Sequence, residues 1–295
     1  MANAYITDQE VYDALPDGIR PSTTKYDSLV LQLCERVSRA IDRHCKTRFY
    51  PSLETRYFDG SDESEMWIPD LLELAEVTSI AVSNDNGVNY TALAATDYYL
   101  TRAGDYNTLW AYNKLVVNIS TGNYSFFYGG QRSIRIKGTW CTHDNRAEAW
   151  EDSLDEVENA PSIAAAVTAL TVNDVDGPTG WGYSPRFAVG NIIRMKTEFC
   201  EVGAVDTVGQ VATIVRGRNG TTADIHLQNI QIDVWRPPFP VKQAAIIQAV
   251  RQMERGFQGF GDARATPEIG QLFYIKSMDP EAAALLAPYR PTGVG

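Results

Sequence analysis

Residues 22–50 read STTKYDSLVLQLCERVSRAIDRHCKTRFY and form the segment with the strongest helical periodicity in the chain. Its apolar residues recur at steps of three and four, which places them on one stripe of an α-helix. They are Tyr26, Leu29, Val30, Leu33, Val37, Ala40, Ile41 and Cys45. Hydroxyl groups at 22–24 offer an N-cap, and Pro51 ends the pattern. We therefore expect one long helix that buries this stripe.

Three further segments carry helix signals. ITDQEVYDAL at 6–15 contains a capping box formed by Thr7 and Glu10. VKQAAIIQAVRQMERGF at 241–257 has a broad apolar stripe, and glycines at 256, 259 and 261 predict a hinge after it. PEAAALL at 280–286 follows Asp279, which is a suitable N-cap for a short terminal helix.

The chain between residues 51 and 143 has the texture of short strands. Its candidate strands are rich in β-branched and aromatic residues and lie at 54–58, 64–68, 77–82, 98–102, 114–119 and 133–140. Turn residues such as Asn86-Gly87 separate them. We expect an antiparallel sheet with the long helix packed on its apolar face.

A change of composition follows the sheet region. Residues 144–160 are strongly acidic and are interpreted as a linker, with a second linker at 237–240. Between the two linkers the sequence has strand-like pieces at 169–172, 192–196, 199–202, 211–215 and 230–234, separated by turn residues. This pattern predicts a small all-β module inserted into the chain.

The 295-residue chain has a formal net charge of −11, which is unevenly distributed. Residues 144–160 contain seven acids and one base, whereas residues 22–50 contain six bases and three acids. Both runs fit solvated faces, and they also fit opposite faces of neighbouring copies that attract each other. The acidic excess argues against general nucleic-acid binding. No apolar run reaches the roughly 18 residues of a membrane span, and the spacing of the four cysteines indicates reduced, mostly buried thiols.

The sequence contains no recognisable catalytic motif. Its three histidines stand far apart, and it lacks a nucleophile elbow and a phosphate loop. We therefore expect no enzyme activity, no cofactor and no metal site. The enzymatic alternative is a hydrolase that uses Asp152, Asp155 or Glu156 of the acidic run.

The order of several segments resembles the head–tail connector, or adaptor, proteins of tailed bacteriophages. The matching segments are ITDQEVYDALP, IDRHCKTRFYP, TRYFDG, LLELAEVTSIAV, DYYL, RSIRIKGTW, PPFPVKQAAIIQAVRQMERG and DPEAAALLAPYRP. They cover about 5–143 and 237–291. The roughly 90 residues between them depart from the family pattern. In that insert, FAVGNIIRMKTEFCEVGAV and VATIVRGRNGTTADIHLQNIQID are similar to a small β module that recurs in phage structural proteins.

The resemblance implies a structural virion protein at the head–tail junction, made in the host cytoplasm. It implies a closed ring of identical subunits, a dodecamer that matches the portal, with a tail-side stopper or tail terminator protein on the other side. Packaged DNA would pass through the ring without specific binding, and no membrane would be involved. Arg36, Arg39 and Arg43 on the long helix are candidates for the subunit interface.

The resemblance also implies that the C-terminal segment reaches up to the portal. Leu285, Leu286, Tyr289 and Arg290 are the candidate docking residues, because they are apolar, aromatic or charged near the end of the chain. The alternative is that this segment packs onto its own domain. Both interpretations predict a short helix here.

The predicted fold class is α+β, with a long-helix bundle packed on a small antiparallel sheet and an inserted all-β domain. The predicted division is an adaptor core at 1–145, the β insert with its acidic linker at 146–236, and the rest of the core at 237–295. The alternative function is a carbohydrate- or capsid-binding module of a phage structural protein. Exposed Trp181, Tyr183 and Trp235 on the insert would favour that alternative.

Overall fold

A computed structural model of the chain describes residues 3–16, 26–68, 74–102, 110–257, 263–266, 271–274 and 278–290. Its helices are α1 (Asp8–Ala14), α2 (Asp27–Cys45), α3 (Phe239–Phe257) and α4 (Pro280–Leu286). Its strands are β1 (Ser52–Gly60), β2 (Glu65–Trp67), β3 (Leu74–Val82), β4 (Thr91–Ala92), β5 (Tyr98–Thr101), β6 (Lys114–Val117), β7 (Gly130–Trp140), β8 (Trp150–Glu156), β9 (Ser162–Ile163), β10 (Ala169–Thr171), β11 (Ile192–Met195), β12 (Glu198–Asp206), β13 (Val211–Val215), β14 (His226–Leu227), β15 (Gln231–Trp235), β16 (Ala263–Thr266) and β17 (Gln271–Tyr274). The expected N-cap at 22–24 and the expected hinge glycines 259 and 261 lie outside these residues.

The predicted fold class is wrong. The protein is mostly β-sheet, with 33% strand and 22% helix, and its four described helices are short. In the segment that was expected to run to residue 50, α2 ends at Cys45, where Lys46 adopts a left-handed conformation with φ 53°. A left-handed residue closes a helix, so α2 ends at the last residue of the predicted apolar stripe and does not continue to Pro51.

The four helices pack against one another. Val30, Val37 and Ile41 of α2 share a buried apolar cluster with Val241 and Ala245 of α3. The cluster also takes in residues of α1 and α4 and the aromatic rings that flank the helices. α1 begins with the predicted capping box of Thr7 and Glu10, and α4 begins after Asp279 as predicted. Periodicity therefore located the buried face of the helices, although Leu29 of the predicted stripe is 55% exposed and Cys34, which was not part of it, is buried.

The sheet of the first half does not pack on the long helix, contrary to expectation. Strands β1, β7, β3 and β4 form one sheet in that order, and β2, β6 and β5 form another. Ile80, Ile134 and Ile136 of the first sheet are buried with Met66 and Leu115 of the second. The two sheets thus bury each other's apolar faces. A strand pattern tells which side chains are buried but not what covers them.

The insert is a six-stranded sheet with strand order β10-β13-β12-β11-β15-β8. Its outer strand β8 comes from the acidic run, so the interpretation of 144–160 as a linker is wrong at these positions. Glu151 and Asp155 are buried in β8 because Arg236 and Arg186 pair with them at 2.5 and 2.8 Å. Because buried positions of β8 carry ion-paired carboxylates, the sequence lacks the alternation of apolar and polar residues that is typical of a strand.

The insert and the rest of the chain share a buried cluster. Trp235, Phe199 and Ile192 of the insert pack with Cys141 and Ala111. The Trp235 indole Nε1–H donates to the carbonyl oxygen of Phe49 at 3.0 Å. The division at 145 and 236 stays a prediction, and the sheet of the insert is joined to its neighbours by this common core.

Candidate functional site

The candidate interface arginines lie on α2 in different environments. Arg36 and Arg43 are exposed, and Arg36 donates to the side-chain oxygen of Gln252 on α3 at 2.9 Å. Arg39 pairs with Asp42 at 2.9 Å and donates to the backbone oxygen of Asn3 at 2.7 Å. The Arg39 guanidinium also lies over a tyrosine ring, 4.7 Å from the centroid of Tyr50. Arg39 is therefore occupied within its own subunit.

Two of the four candidate portal-docking residues are buried. Leu286 is fully buried and Tyr289 is 8% exposed, both within the helical cluster. The Tyr289 hydroxyl donates to Asp144 at 2.9 Å. Leu285 is half-buried and Arg290 is exposed. Portal docking by this segment stays a prediction, and Leu285 and Arg290 are the members of the set with side-chain surface to offer.

An aromatic groove of about 460 Å³ lies where the insert meets the helical part of the chain. Four aromatic side chains line it, Trp110, Trp181, Tyr183 and Phe239. Trp181 is 50% exposed and Phe239 is 67% exposed. Trp235, by contrast, is 5% exposed, so the expectation of an exposed ring is wrong there. The groove thus gathers two of the three aromatic residues that the sequence singled out.

Two cations border the ring of Tyr183 in the aromatic groove. The guanidinium of Arg236 lies 5.0 Å and the ammonium of Lys242 lies 4.6 Å from the ring centroid. Arg236 is paired with Glu151 and Lys242 with Glu10, each at 2.5 Å. Both cations are therefore paired, and the carboxylates of Asp144 and Glu148 also line the groove, so the rings are framed by hydrogen-bonding and acidic side chains. Such a surface suits a neutral, hydroxyl-rich ligand.

His143 forms part of the groove wall but is structural. Its Nε2 lies 2.9 Å from the carbonyl oxygen of Arg236, and its Nδ1 accepts the backbone N–H of Asn145 at 2.9 Å. These partners assign the proton to Nε2. Burial lowers the pKa of His143, so the ring stays neutral at neutral pH and holds the chain on either side of the insert together.

The motif RGRNGTTADIH at 216–226, in the stretch that resembles a phage β module, is explained by one buried carboxylate. Glu198 is 1% exposed and accepts two hydrogen bonds from Arg216, at 2.8 and 2.7 Å. His226 Nε2 lies 2.8 Å from the same carboxylate, and the backbone N–H groups of Gly217 and Asp224 donate at 2.9 and 3.0 Å. These hydrogen bonds to Glu198 therefore fix the conformation of the loop at 216–226. Sequence reasoning marked the motif but missed this carboxylate, which lies outside it.

The loop held by Glu198 docks onto β1. The backbone N–H of Leu53 donates to the carbonyl oxygen of Asn219 at 2.8 Å. The side-chain amides of Asn219 and Asn3 exchange hydrogen bonds at 2.7 and 3.0 Å. Asn219 and Gly220 have φ values of 50° and 86°, as a tight two-residue turn requires.

We expect Gly220→Ala to destabilise the protein by about 1–3 kcal/mol. A Cβ atom at Gly220 would lie 2.1 Å from the carbonyl oxygen of Leu53, and the backbone there is left-handed. Chemical denaturation measures the effect. Gly203→Ala is the matched control, because its Cβ would meet nothing closer than the Thr213 oxygen at 3.5 Å. Equal stability of both variants would contradict the packing of this turn on β1.

The carboxylates of the hydrolase alternative point to different partners. Asp155 accepts from Arg186 at 2.8 Å and from the backbone N–H groups of Asn173 and Asp174. Asp152 accepts the backbone N–H of Leu154 at 2.8 Å.

Among the residues that the structure describes, no three His, Cys, Asp or Glu side chains are grouped to hold a metal ion. Nor does any helix in the described ranges have the length and apolar character to cross a bilayer.

Comparisons of the chain with models of known protein families, with curated proteins and with solved structures give no match.

Proposed function

We propose that the chain is a structural subunit of the adaptor ring between the portal and the tail of a tailed bacteriophage. The observation that carries the proposal is the packing of α1 and α2 with α3 and α4 in one buried apolar cluster. These helices come from the two parts of the chain that resemble the adaptor family, although both sheets and the insert separate them in sequence. Their packing in one cluster supports the interpretation of one adaptor core interrupted by an insert.

In this proposal the partners are further copies of the chain, the portal protein and a tail-side stopper or tail terminator. Twelve copies would close a ring by a heterologous contact, in which one surface of each subunit meets a different surface of the next. The shared cluster around Trp235 and the contact of the Asn219 turn with β1 support a subunit in which the insert and the rest of the chain are rigidly joined. Packaged DNA would pass through the ring without specific binding.

Labelling of intact particles tests the proposal. The chain would carry an epitope tag in the phage that encodes it, and cryo-electron microscopy of purified virions would locate the antibody fragment. We expect the label at the neck, with about twelve copies for each particle. Absence of the chain from virions, or a label at the tail tip or on the capsid faces, would refute the adaptor function.

The aromatic groove favours one second candidate, a carbohydrate-binding role for the insert. Trp181 and Tyr183 present ring surface in a concave site bordered by hydrogen-bonding side chains, and sugar rings stack on such surfaces. Trp181→Ala should then weaken binding of bacterial surface polysaccharide at least about tenfold, which corresponds to roughly 1.4 kcal/mol.

Isothermal titration calorimetry with purified peptidoglycan fragments and lipopolysaccharide O-chains measures this loss. Trp67→Ala is the matched control, since Trp67 is 57% exposed on β2 and lies outside the aromatic groove. Equal binding by wild type, W181A and W67A, or no binding by any of them, would remove the carbohydrate candidate.

A further inference from the structure

A run of four basic residues crosses the exposed face of the first sheet and reaches the insert. We call Arg132, Arg135, Lys137 and Lys196 the basic strip. Among the described residues none of the four has an ion-pair partner, although the chain carries an excess of acid. Arg194 beside them is different, because it pairs with Glu76 at 3.1 Å and with Asp233 at 2.8 Å.

The basic strip is continuous. Arg132 lies 4.1 Å from the ring centroid of Tyr57, and Arg135 lies 4.4 Å from that of Tyr90. The two rings are 6.0 Å apart. Arg135 and Lys137 alternate onto one face of β7. Lys137 and Lys196 line one cleft of about 680 Å³ between the sheet and the insert.

The cleft at the end of the basic strip is rich in hydroxyl groups. Its threonines are Thr78, Thr139, Thr197, Thr221 and Thr222, and the carboxylates of Glu76 and Asp224 also line it. Thr139 already donates to Glu76 and Thr221 to the carbonyl oxygen of Arg218, which leaves Thr78, Thr197 and Thr222 to receive a ligand. Hydroxyl groups donate to carboxylates, and their methyl groups accept apolar contact. The strip and the cleft together form a surface for an acidic segment that also carries an apolar side chain.

Strand β8 carries a segment of that kind, which we call the acidic ridge. It consists of Asp152, Leu154 and Glu156. The register pairs Asp152 with Asp233 and Glu156 with Gln231, so both carboxylates lie on one face of the sheet. A bulge between them pushes Leu154 outward, where it is 59% exposed and has a φ of 61°.

The conformation of Leu154 is unfavourable for an isolated subunit. A bulky residue with left-handed backbone is strained, and an exposed leucine gains nothing from burial. Neither Asp152 nor Glu156 forms an ion pair with any described residue. Strain, exposure and unpaired charge thus coincide on the acidic ridge.

We infer that the acidic ridge of one copy docks onto the basic strip of the next copy. Asp152 and Glu156 pair with bases of the strip, and Leu154 enters between the threonine methyl groups and the tyrosine rings. The inference rests on the proposed assembly of identical copies, in which complementary charge brings the ridge of one copy to the strip of another. Within one copy both surfaces border the same face of the insert sheet, since Asp152 pairs with Asp233 and Asp233 pairs with Arg194, which lines the cleft. A second copy fits better than nucleic acid, since the net charge of −11 repels a polyanion.

Charge reversal tests the contact. Sedimentation velocity would compare the full chain with R135E/K137E, with D152K/E156K and with the variant that carries all four substitutions. We expect each double variant to weaken self-association about 100-fold, and the quadruple variant to recover it because the two charges are exchanged. R43E/K46E makes the same change of net charge as R135E/K137E but on α2, where Arg43 is the other interface candidate, and wild-type association of this variant would assign the contact to the basic strip.

Several results would overturn the inference. The inference is wrong if the wild type is monomeric at all concentrations, or if both double variants associate as the wild type does. It is also wrong if the quadruple variant has native circular dichroism but does not recover association, or if R43E/K46E dissociates the protein instead. Loss of 30-base-pair duplex DNA binding in R135E/K137E, with self-association unchanged, would make the strip a nucleic-acid surface.

The labelling experiment tests the adaptor function and the charge-reversal experiment tests the contact, so their negative results can be told apart. A label at the neck with unaffected self-association in the double variants removes this contact and leaves the adaptor function standing. Charge-dependent self-association of a chain that is absent from the neck removes the adaptor function and leaves the contact standing.

Discussion

Glu198→Ala is expected to lower the free energy of unfolding by about 3–5 kcal/mol, measured by urea denaturation at neutral pH. The substitution leaves the Arg216 guanidinium, which is 6% exposed, without its buried counter-charge. It also removes the acceptor of His226 and of two backbone N–H groups. Unpaired buried donors and charges are among the most destabilising defects a substitution creates.

A double-mutant cycle separates this network from simple loss of packing. Arg216→Ala should cost about as much as Glu198→Ala, and the double variant should cost less than the sum by about 1–3 kcal/mol. Additive losses would contradict a direct ion pair. Glu198→Gln serves as the conservative comparison, because it keeps the shape of the side chain and removes only its charge.

The same carboxylate gives stability a dependence on pH. Burial alone would raise the pKa of Glu198, but the bonds from Arg216, the Asp224 N–H, His226 and the Gly217 N–H outweigh it and lower the pKa to about 2. A carboxyl with a depressed folded-state pKa stabilises the protein above its unfolded pKa and loses that effect as pH falls. This contribution, about 3 kcal/mol, should therefore disappear between about pH 4.5 and pH 2. Glu198→Gln should lack that part of the acid transition.

Trp235→Ala is the second substitution with a large expected effect, a loss of about 3–5 kcal/mol. The indole is 5% exposed and lies 5.0 Å from the ring of Trp150 and 5.4 Å from that of His143. Its Nε1–H bonds to the backbone of Phe49, which leads from α2 toward β1. The substitution would leave a cavity and an unpaired carbonyl group where the insert meets the rest of the chain.

Thermal unfolding followed by circular dichroism measures the loss. We expect one cooperative transition in the wild type, because the insert and its neighbours share this cluster. Trp181→Ala is the matched control and should cost clearly less than Trp235→Ala, since Trp181 is 50% exposed. A W235A variant as stable as W181A would show that the shared core does not join the two parts.

Local pattern was enough to predict much of the secondary structure. Apolar periodicity located the buried stripe of α2, and the Thr7–Glu10 spacing located the start of α1. The five strand-like pieces of the insert correspond to β10–β13 and β15. The cysteines, predicted to be mostly buried, are all four buried. In each case the signal comes from residues within a few positions of one another, where helix and strand geometry impose a period.

Pairing between residues that are far apart in the chain could not be predicted from the sequence. In sequence the acidic run that contains β8 resembles a linker, because the bases that neutralise Glu151 and Asp155 lie 85 and 31 positions away. Trp235 was expected at the surface, because nothing near it in sequence announces its partners. The aromatic groove, the basic strip and the acidic ridge likewise exist only once separate segments meet.

By itself, the sequence determined which residues favour helix or strand, where turns occur, and that the chain is acidic. Only the tertiary structure decided that the two sheets of the first half cover each other, that the helices form a separate cluster, and that the strand content exceeds the helix content. The physical reason is that periodicity specifies a buried face, whereas its partner depends on which other faces the folded chain brings within contact distance.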